Sequence, residues 1–373
     1  MTLVRKRIGY QLEIADTFGY PTLEALANYI ADQLDENDET VESNEQWVNI
    51  PTPTSLSDID ESECARTLLM FPGQGAQKPG MCESMKYSSS AKALFARAEK
   101  IIGYNIFEIC MNNNDETAAK LKSTEFVQVV LLVGCLAKIE QLKEENPNVL
   151  HNVTHVSGLS VGEFAALVYA EVISFENAVR VIQIRGRAME NEVKQSATGM
   201  VSVFGPSCET LCQFLAKHYP NMKISTYLAD NQHTIAGTAD EVESLVNDLS
   251  TVHKEELGVI DARRLRVAGG FHSSYMENAS KIVDPVIKSI KFSEPTTTLI
   301  MNVTGGIEQD PRVIKELLCE QLVAPVQWKQ SVLTAYEAGV TNFIEVAPAR
   351  VLSSIVKNRI STVKKCNCEL IVV

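Results

Sequence analysis

Residues 154–172 read THVSGLSVGEFAALVYAEV, and the way this stretch divides decides the fold. THVSGLS (154–160) is a strand running into a tight turn, and VGEFAALVYAEV (161–172) is a helix of small and apolar residues. The residues at the join, GLSVG (158–162), fit the pattern G-x-S-x-G. In such an elbow the serine sits on a strained turn with its hydroxyl exposed at a helix N-terminus, and the glycines avoid collisions with neighbouring backbone. Five letters also arise by chance, so the strand-turn-helix setting carries as much weight as the letters.

The same alternation extends outward in both directions. TLLMFPGQG (67–75) is a short apolar strand entering a Gly-rich turn, and Val127 to Leu142 reads as a helix. The texture changes over 198–265, where strands such as MVSVFG and HTIAGT and a helix from Asp240 to Val252 predict a small α+β insertion. TTTLIMNVTG, a helix around Val313 to Leu322, and VTNFIEVAPAR then restore the strand-helix order. The expected fold class is therefore α/β, with a mostly parallel sheet in the core. The body is expected to span residues 66–373. Before it, residues 1–34 read as a helical piece in which Leu23, Leu26, Ala27 and Ile30 share one face, and 35–65 as an acidic Ser-, Thr- and Pro-rich linker.

Composition narrows the function classes. A chain of 373 residues with 45% hydrophobic and 22% charged residues can bury a sizeable core. The net charge of −13 belongs mostly to the leader: no Lys or Arg lies between Arg7 and Arg66, while 14 acidic residues do. The body is nearly neutral, so no nucleic-acid surface is expected. The longest nearly apolar run, Phe126 to Ala137, falls short of the ~20 residues a membrane helix needs, so no membrane span is expected. Nine scattered cysteines include no C-x-x-C pair, and the C-x-C at 366–368 lacks a second ligand cluster. That pattern predicts free thiols in a reducing compartment and no metal site. The start, MTLVRKR, is followed by Glu13 and Asp16 with no apolar core, unlike a secretory signal.

A nucleophilic Ser160 needs a base, usually a histidine. Of the six available (151, 155, 218, 233, 253 and 272), His272 stands out in VAGGFHSSYM, behind two glycines at a strand-to-helix passage. The others lie in helical or polar contexts, and a structural role for any lone histidine stays open. Arg185 lies in VRVIQIRGRAM, a helix whose Val179, Ile182 and Met189 mark a buried face. It is either a solvated residue on the rim or, if it faces the serine, a fork that grips a carboxylate and selects a diacid monothioester.

FPGQGAQKPGM (71–81), GLSVGEFAALVYAEVI (158–173), IRGRAM (184–189), GGFHSSYM (269–276), QLVAPVQW (321–328) and FIEVAPARVL (343–352) resemble, in order, the motifs of malonyl-CoA:acyl-carrier-protein transacylases. The resemblance covers residues 66–373. It implies an α/β-hydrolase-like core with a ferredoxin-like insert, Ser160 as the acylated nucleophile and His272 as its base. It implies an oxyanion hole from the Gln74 and Val161 backbone N–H groups, and a backbone carbonyl at Gln321 that orients the imidazole in place of an acid. Asp261, eleven residues before His272, then need not belong to a triad. Arg185 would hold the malonyl carboxylate, and Phe271 would leave little room for an α-methyl group. Where many relatives carry His before the serine, this chain has Leu159, as animal mitochondrial members have an aromatic or aliphatic residue. The implied substrate is malonyl-CoA, the implied partner an acyl carrier protein bearing phosphopantetheine, and no bound cofactor is implied.

The leader segment LVRKRIGYQLEIADTFGYPTLEALANYI (3–30) resembles the C-terminal half of a carrier domain from a polyketide or fatty-acid megasynthase. An arbitrary amphipathic helix is the alternative reading. On the first reading the serine that carries phosphopantetheine is expected upstream of Met1, and the chain is either a fragment of a larger multidomain protein or the product of an oddly predicted gene start. The compartment is mitochondrial by resemblance and cytoplasmic if the domain sits in a megasynthase. Two rival functions share the same elbow: a serine hydrolase or thioesterase, and an idle scaffold domain of a synthase.

Overall fold

Strand β1 (Arg66–Phe71) sends Leu69 and Phe71 into one apolar cluster and Leu68 and Met70 into another, so both faces of its sheet must be covered. The computed structural model describes residues 66–265 and 269–372; the expected leader helix (1–34) and linker (35–65) lie outside them. After β1 come α1 (Ser89–Ile102), α2 (Ile106–Met111), α3 (Asp115–Lys120) and α4 (Thr124–Glu145). Helix α4 is apolar around most of its circumference because it is enclosed by neighbours on most sides. Strand β2 (Val153–Gly158), α5 (Val161–Tyr169) and α6 (Phe175–Gln195) follow.

The inserted unit runs β3 (Thr198–Phe204), α7 (Cys208–His218), β4 (Lys223–Ala229), β5 (Gln232–Thr238), α8 (Ala239–Ser250) and β6 (Asp261–Arg264). Its strands pair antiparallel in the order β4-β5-β3-β6, which is the ferredoxin-like βαββαβ arrangement. Helix α8 starts where a capping box dictates, with Thr238 and Glu241 satisfying each other's backbone N–H.

The chain then forms α9 (Glu277–Ser289), β7 (Thr298–Ile300), β8 (Ile307–Glu308), α10 (Pro311–Glu320), α11 (Trp328–Glu337), β9 (Val340–Ala347), α12 (Leu352–Arg359) and β10 (Asn367–Val372). The large sheet has the order β10-β9-β1-β2-β7-β8, parallel except for the antiparallel β8. Helices α4 and α6 contribute to the cluster on one face; α11 and α12 contribute to the other. The fold is thus α/β with a mostly parallel core sheet and an inserted α+β unit. No described helix is long and apolar enough to cross a membrane.

Strand β7 is shorter than TTTLIMNVTG promises. The chain turns after Ile300: Gly305, at φ 65°, donates its N–H to the Met301 carbonyl at 2.8 Å. This stop sets Asn302 just past the strand, at the same sheet edge as the loop after β1 and the elbow after β2. The C-terminal edge of parallel strands is where such sheets open a crevice.

Candidate active site

The elbow owes its shape to close backbone approach. A Cβ built on Gly158 would stand 2.1 Å from the Gly162 carbonyl carbon, and one on Gly162 would stand 2.3 Å from the Phe71 oxygen. The Leu159 N–H donates to that Phe71 carbonyl at 2.9 Å, tying the turn to the end of β1. Ser160 follows at φ 54°, an unusual conformation for a residue with a side chain, and Val161 opens α5. Leu159 is half-buried and packs on the apolar cluster beneath α11 and α12.

Ser160 Oγ lies 2.7 Å from His272 Nε2, and His272 Nδ1 lies 2.8 Å from the Gln321 carbonyl oxygen. A carbonyl only accepts, so Nδ1 carries the hydrogen and Nε2 presents its lone pair to the serine hydroxyl. His272 is itself at φ 57°, in a turn where Gly270 N–H donates to Thr198 Oγ1 at 3.1 Å and Ser273 Oγ donates to the Gly270 carbonyl at 2.6 Å. The turn therefore hangs on the start of β3, and the inserted unit helps place His272. Asp261 is elsewhere engaged, 3.5 Å from Arg263 Nε. Of the remaining histidines, His155 and His233 lie on β2 and β5, the strands that THVSGLS and HTIAGT predict, and both are buried there, not in the helical or polar contexts expected for them.

Arg185 is 2% exposed, so it belongs to the buried face of α6 and not to its rim. Its Nη1 donates to Gln128 Oε1 at 2.6 Å, and its Nη2 to Gln321 Oε1 at 2.9 Å and Ser160 Oγ at 3.2 Å. Three of the five guanidinium donors are used by neutral oxygens, and the donor on Ser160 can pass to a bound carboxylate. Phe164 sits under the guanidinium, 5.8 Å from ring centroid to Cζ. Phe271, next to His272, is buried in the same core.

The loop after β1 lies against the elbow: a Cβ on Gly73 would be 3.0 Å from the Leu159 oxygen. Gln77 pins this loop by accepting from Gly75 N–H at 2.7 Å and donating to the Leu121 carbonyl at 3.2 Å. Among the described residues, neither the Gln74 nor the Val161 backbone N–H is spent on a protein acceptor. Val161 is also the first residue of α5, where the helix dipole favours negative charge.

Burial dominates the electrostatics. It pushes His272 from 6.5 down to about 4, helped by the Arg185 charge and opposed by the Gln321 carbonyl. It pushes Arg185 down to about 10, against the pull of Glu163. Glu163 is raised to about 7 by burial, opposed by Asn302, Gln321 and Arg185. His272 is thus held neutral beside a cation, and the carboxyl that pulls on that cation, Glu163, is a residue that sequence reading passed over.

Three such residues line the site: Glu163, Asn302 and Gln128. Asn302 Oδ1 accepts the Ser160 N–H at 2.7 Å and its amide donates to the Gly158 carbonyl at 2.6 Å. Glu163 accepts from Asn302 N–H and from Gln321 Nε2, each at 2.6 Å. The available signal was a lone acid in the apolar helix VGEFAALVY. Chemically, the group comprises a hydroxyl bonded to a neutral imidazole, with a buried cation at its side and the N-terminus of α5 beginning at the next residue. It can attack an acyl carbon and hold an anionic acyl chain.

A family model described as "Acyl transferase domain" matches residues 68–372. The chain is similar to the human malonyl-CoA-acyl carrier protein transacylase, mitochondrial: 31% identical over 306 residues, covering 78% of this chain and 76% of that protein. It is similar in structure to an acyl carrier protein S-malonyltransferase from Vibrio cholerae, with TM-score 0.74 and 28% identity, covering 83% of this chain and 97% of that one. A type II PKS acyl-carrier protein in complex with its malonyl-transacylase gives TM-score 0.73 and 26% identity, covering 82% and 96%.

Proposed function

The chain belongs to the acyl transferase domain family, among the malonyl-CoA-acyl carrier protein transacylases, and from that premise we propose that it moves malonyl from malonyl-CoA to the phosphopantetheine thiol of an acyl carrier protein. The observation that carries this reading is the convergence of His272 Nε2 at 2.7 Å and Arg185 Nη2 at 3.2 Å on Ser160 Oγ.

In the first half-reaction Ser160 Oγ attacks the thioester carbon while His272 Nε2 takes its proton. The developing oxyanion is met by the Gln74 and Val161 N–H groups. The carbon–sulfur bond breaks, the proton passes from His272 to the coenzyme A thiol, and a malonyl-serine ester remains. In the second half the carrier thiol attacks that ester, His272 takes the thiol proton and returns it to Ser160 as the ester bond breaks. Charge and protons balance without a redox or metal step. Arg185 holds the malonyl carboxylate, Phe271 crowds an α-substituent, and the Gln321 carbonyl keeps the imidazole in the working tautomer.

A serine hydrolase would need the same elbow but not a buried Arg185 with donors to spare, and an idle scaffold would need neither group aligned. The catalytic body is assigned to residues 66–373, with 198–265 as its small subdomain. The carrier-like reading of 1–34 and the linker reading of 35–65 stand as proposals from sequence. The human relative is mitochondrial by name; that compartment suits a free-standing enzyme, and the cytoplasm suits a domain of a megasynthase.

Incubation with malonyl-CoA and a phosphopantetheinylated carrier, followed by intact mass, tests the function. Malonylated carrier is the expected product. Free malonate without malonylated carrier would favour the hydrolase.

A further inference from the structure

Glu163 lies three residues past the nucleophile on α5 and is fully buried. Both of its oxygens accept hydrogen bonds: one from the Asn302 backbone N–H, the other from Gln321 Nε2. The second hydrogen of that Gln321 amide goes to the Ser160 carbonyl at 2.8 Å. With both hydrogens spent on acceptors, the amide has one orientation left, in which its oxygen faces Arg185 at 2.9 Å. Reversing the amide would set its NH2 against the Arg185 Nη2 donor and its oxygen against a carboxylate and a carbonyl.

This arrangement solves a conflict between charge and access. A buried guanidinium needs an anion nearby. A carboxylate placed directly on the fork would occupy the donors that an incoming malonyl carboxylate requires. Glu163 stands one side chain further back, so it balances the charge while neutral amide oxygens from Gln128 and Gln321 hold the fork in place.

We propose that Glu163 is a positioning residue for acyl selection: through the Gln321 side chain it holds Arg185 ready for the carboxylate of the malonyl group. The assignment rests on the transferase reading above. It concerns the Gln321 side chain, whereas the base is oriented by the Gln321 backbone, so the two contributions are separable.

The test compares malonyl-CoA with acetyl-CoA as donors to a phosphopantetheinylated carrier, for the full chain and for E163Q, Q321A and the double variant. E163Q keeps the shape but turns one of two acceptors into a donor, facing either the Asn302 N–H or Gln321 Nε2, both of which are donors. Its kcat/KM for malonyl is expected to fall about tenfold further than that for acetyl, chiefly through KM, as the loss of a charge-assisted grip predicts. Q321A, which retains the backbone carbonyl, is expected to show the same selective loss. The double variant is expected to be no worse than Q321A, because both act along one chain of contacts. Equal losses for the two donors, or additive losses in the double variant, would overturn the proposal. Should E163Q not fold, a selective loss in Q321A supports the relay and an unselective one overturns it. A wild-type chain that malonylates no carrier would instead remove the transferase reading itself.

Discussion

Asn302 accepts the Ser160 backbone N–H through its side-chain oxygen at 2.7 Å, so the amide of Ser160 is committed to structure. The same side chain donates to the Gly158 carbonyl, and the Asn302 N–H donates to Glu163. One residue just past β7 thereby clasps both ends of the turn that holds Ser160 at φ 54°. Such a conformation costs on the order of 1–3 kcal/mol, and it persists where neighbours over-determine it.

Asn302→Ala should therefore loosen the elbow. It leaves a half-buried N–H and a buried carbonyl without their Asn302 partner, the latter at about 1–3 kcal/mol. Thermal unfolding should shift down by several degrees, and kcat should fall more than KM changes. An unchanged kcat with a lowered Tm would show that the clasp serves stability alone.

Arg185→Ala should weaken malonyl transfer far more than acetyl transfer. Charge-assisted hydrogen bonds to a carboxylate contribute about 1.5–3 kcal/mol, or roughly 10–100-fold in kcat/KM. Parallel kinetics with the two donors check this, and equal losses would speak against a carboxylate grip.

Phe271→Ala should admit a branched donor. A pocket discriminates one carbon by about 1–3 kcal/mol, so the methylmalonyl-to-malonyl ratio should rise by roughly tenfold or more. Competition between the two thioesters for one carrier measures that ratio. No change would mean that the ring does not face the α-carbon.

The pH profiles should separate. His272 must be neutral to take the serine proton, and its value is lowered from 6.5 to about 4. A lowered value preserves the base form as pH falls, so acetyl transfer should persist well into mild acid. Glu163 moves the other way, up to about 7, and takes on a proton as pH falls through that value. A protonated Glu163 oxygen must donate, yet both its partners are donors, so the Gln321 amide loses its fixed orientation. Malonyl transfer should then decline at higher pH than acetyl transfer. Acid limbs that coincide near the ordinary imidazole value would contradict this.

How much of this was legible from the letters depended on how local the cause was. The elbow was readable because Gly158 and Gly162 are required by contacts within the turn and with the adjoining strand end. The insertion was readable because Thr198 to Arg264 changes strand and helix texture within one continuous stretch. Arg185 was readable by type but not by depth, since nothing beside it in sequence announces that Gln128 and Gln321 enclose it. Glu163 and Asn302 were not read at all. Their partners lie well over a hundred positions away, and a single polar residue in an apolar helix or past a strand carries no spacing pattern.

The most direct measurement is peptide mass mapping of the chain quenched after brief exposure to malonyl-CoA, with and without a subsequent chase by phosphopantetheinylated carrier. One malonyl group is expected on the peptide containing Ser160, absent in Ser160→Ala and transferred to the carrier in the chase. A malonyl group on another residue, or carrier malonylated at full rate by the Ser160→Ala chain, would contradict it.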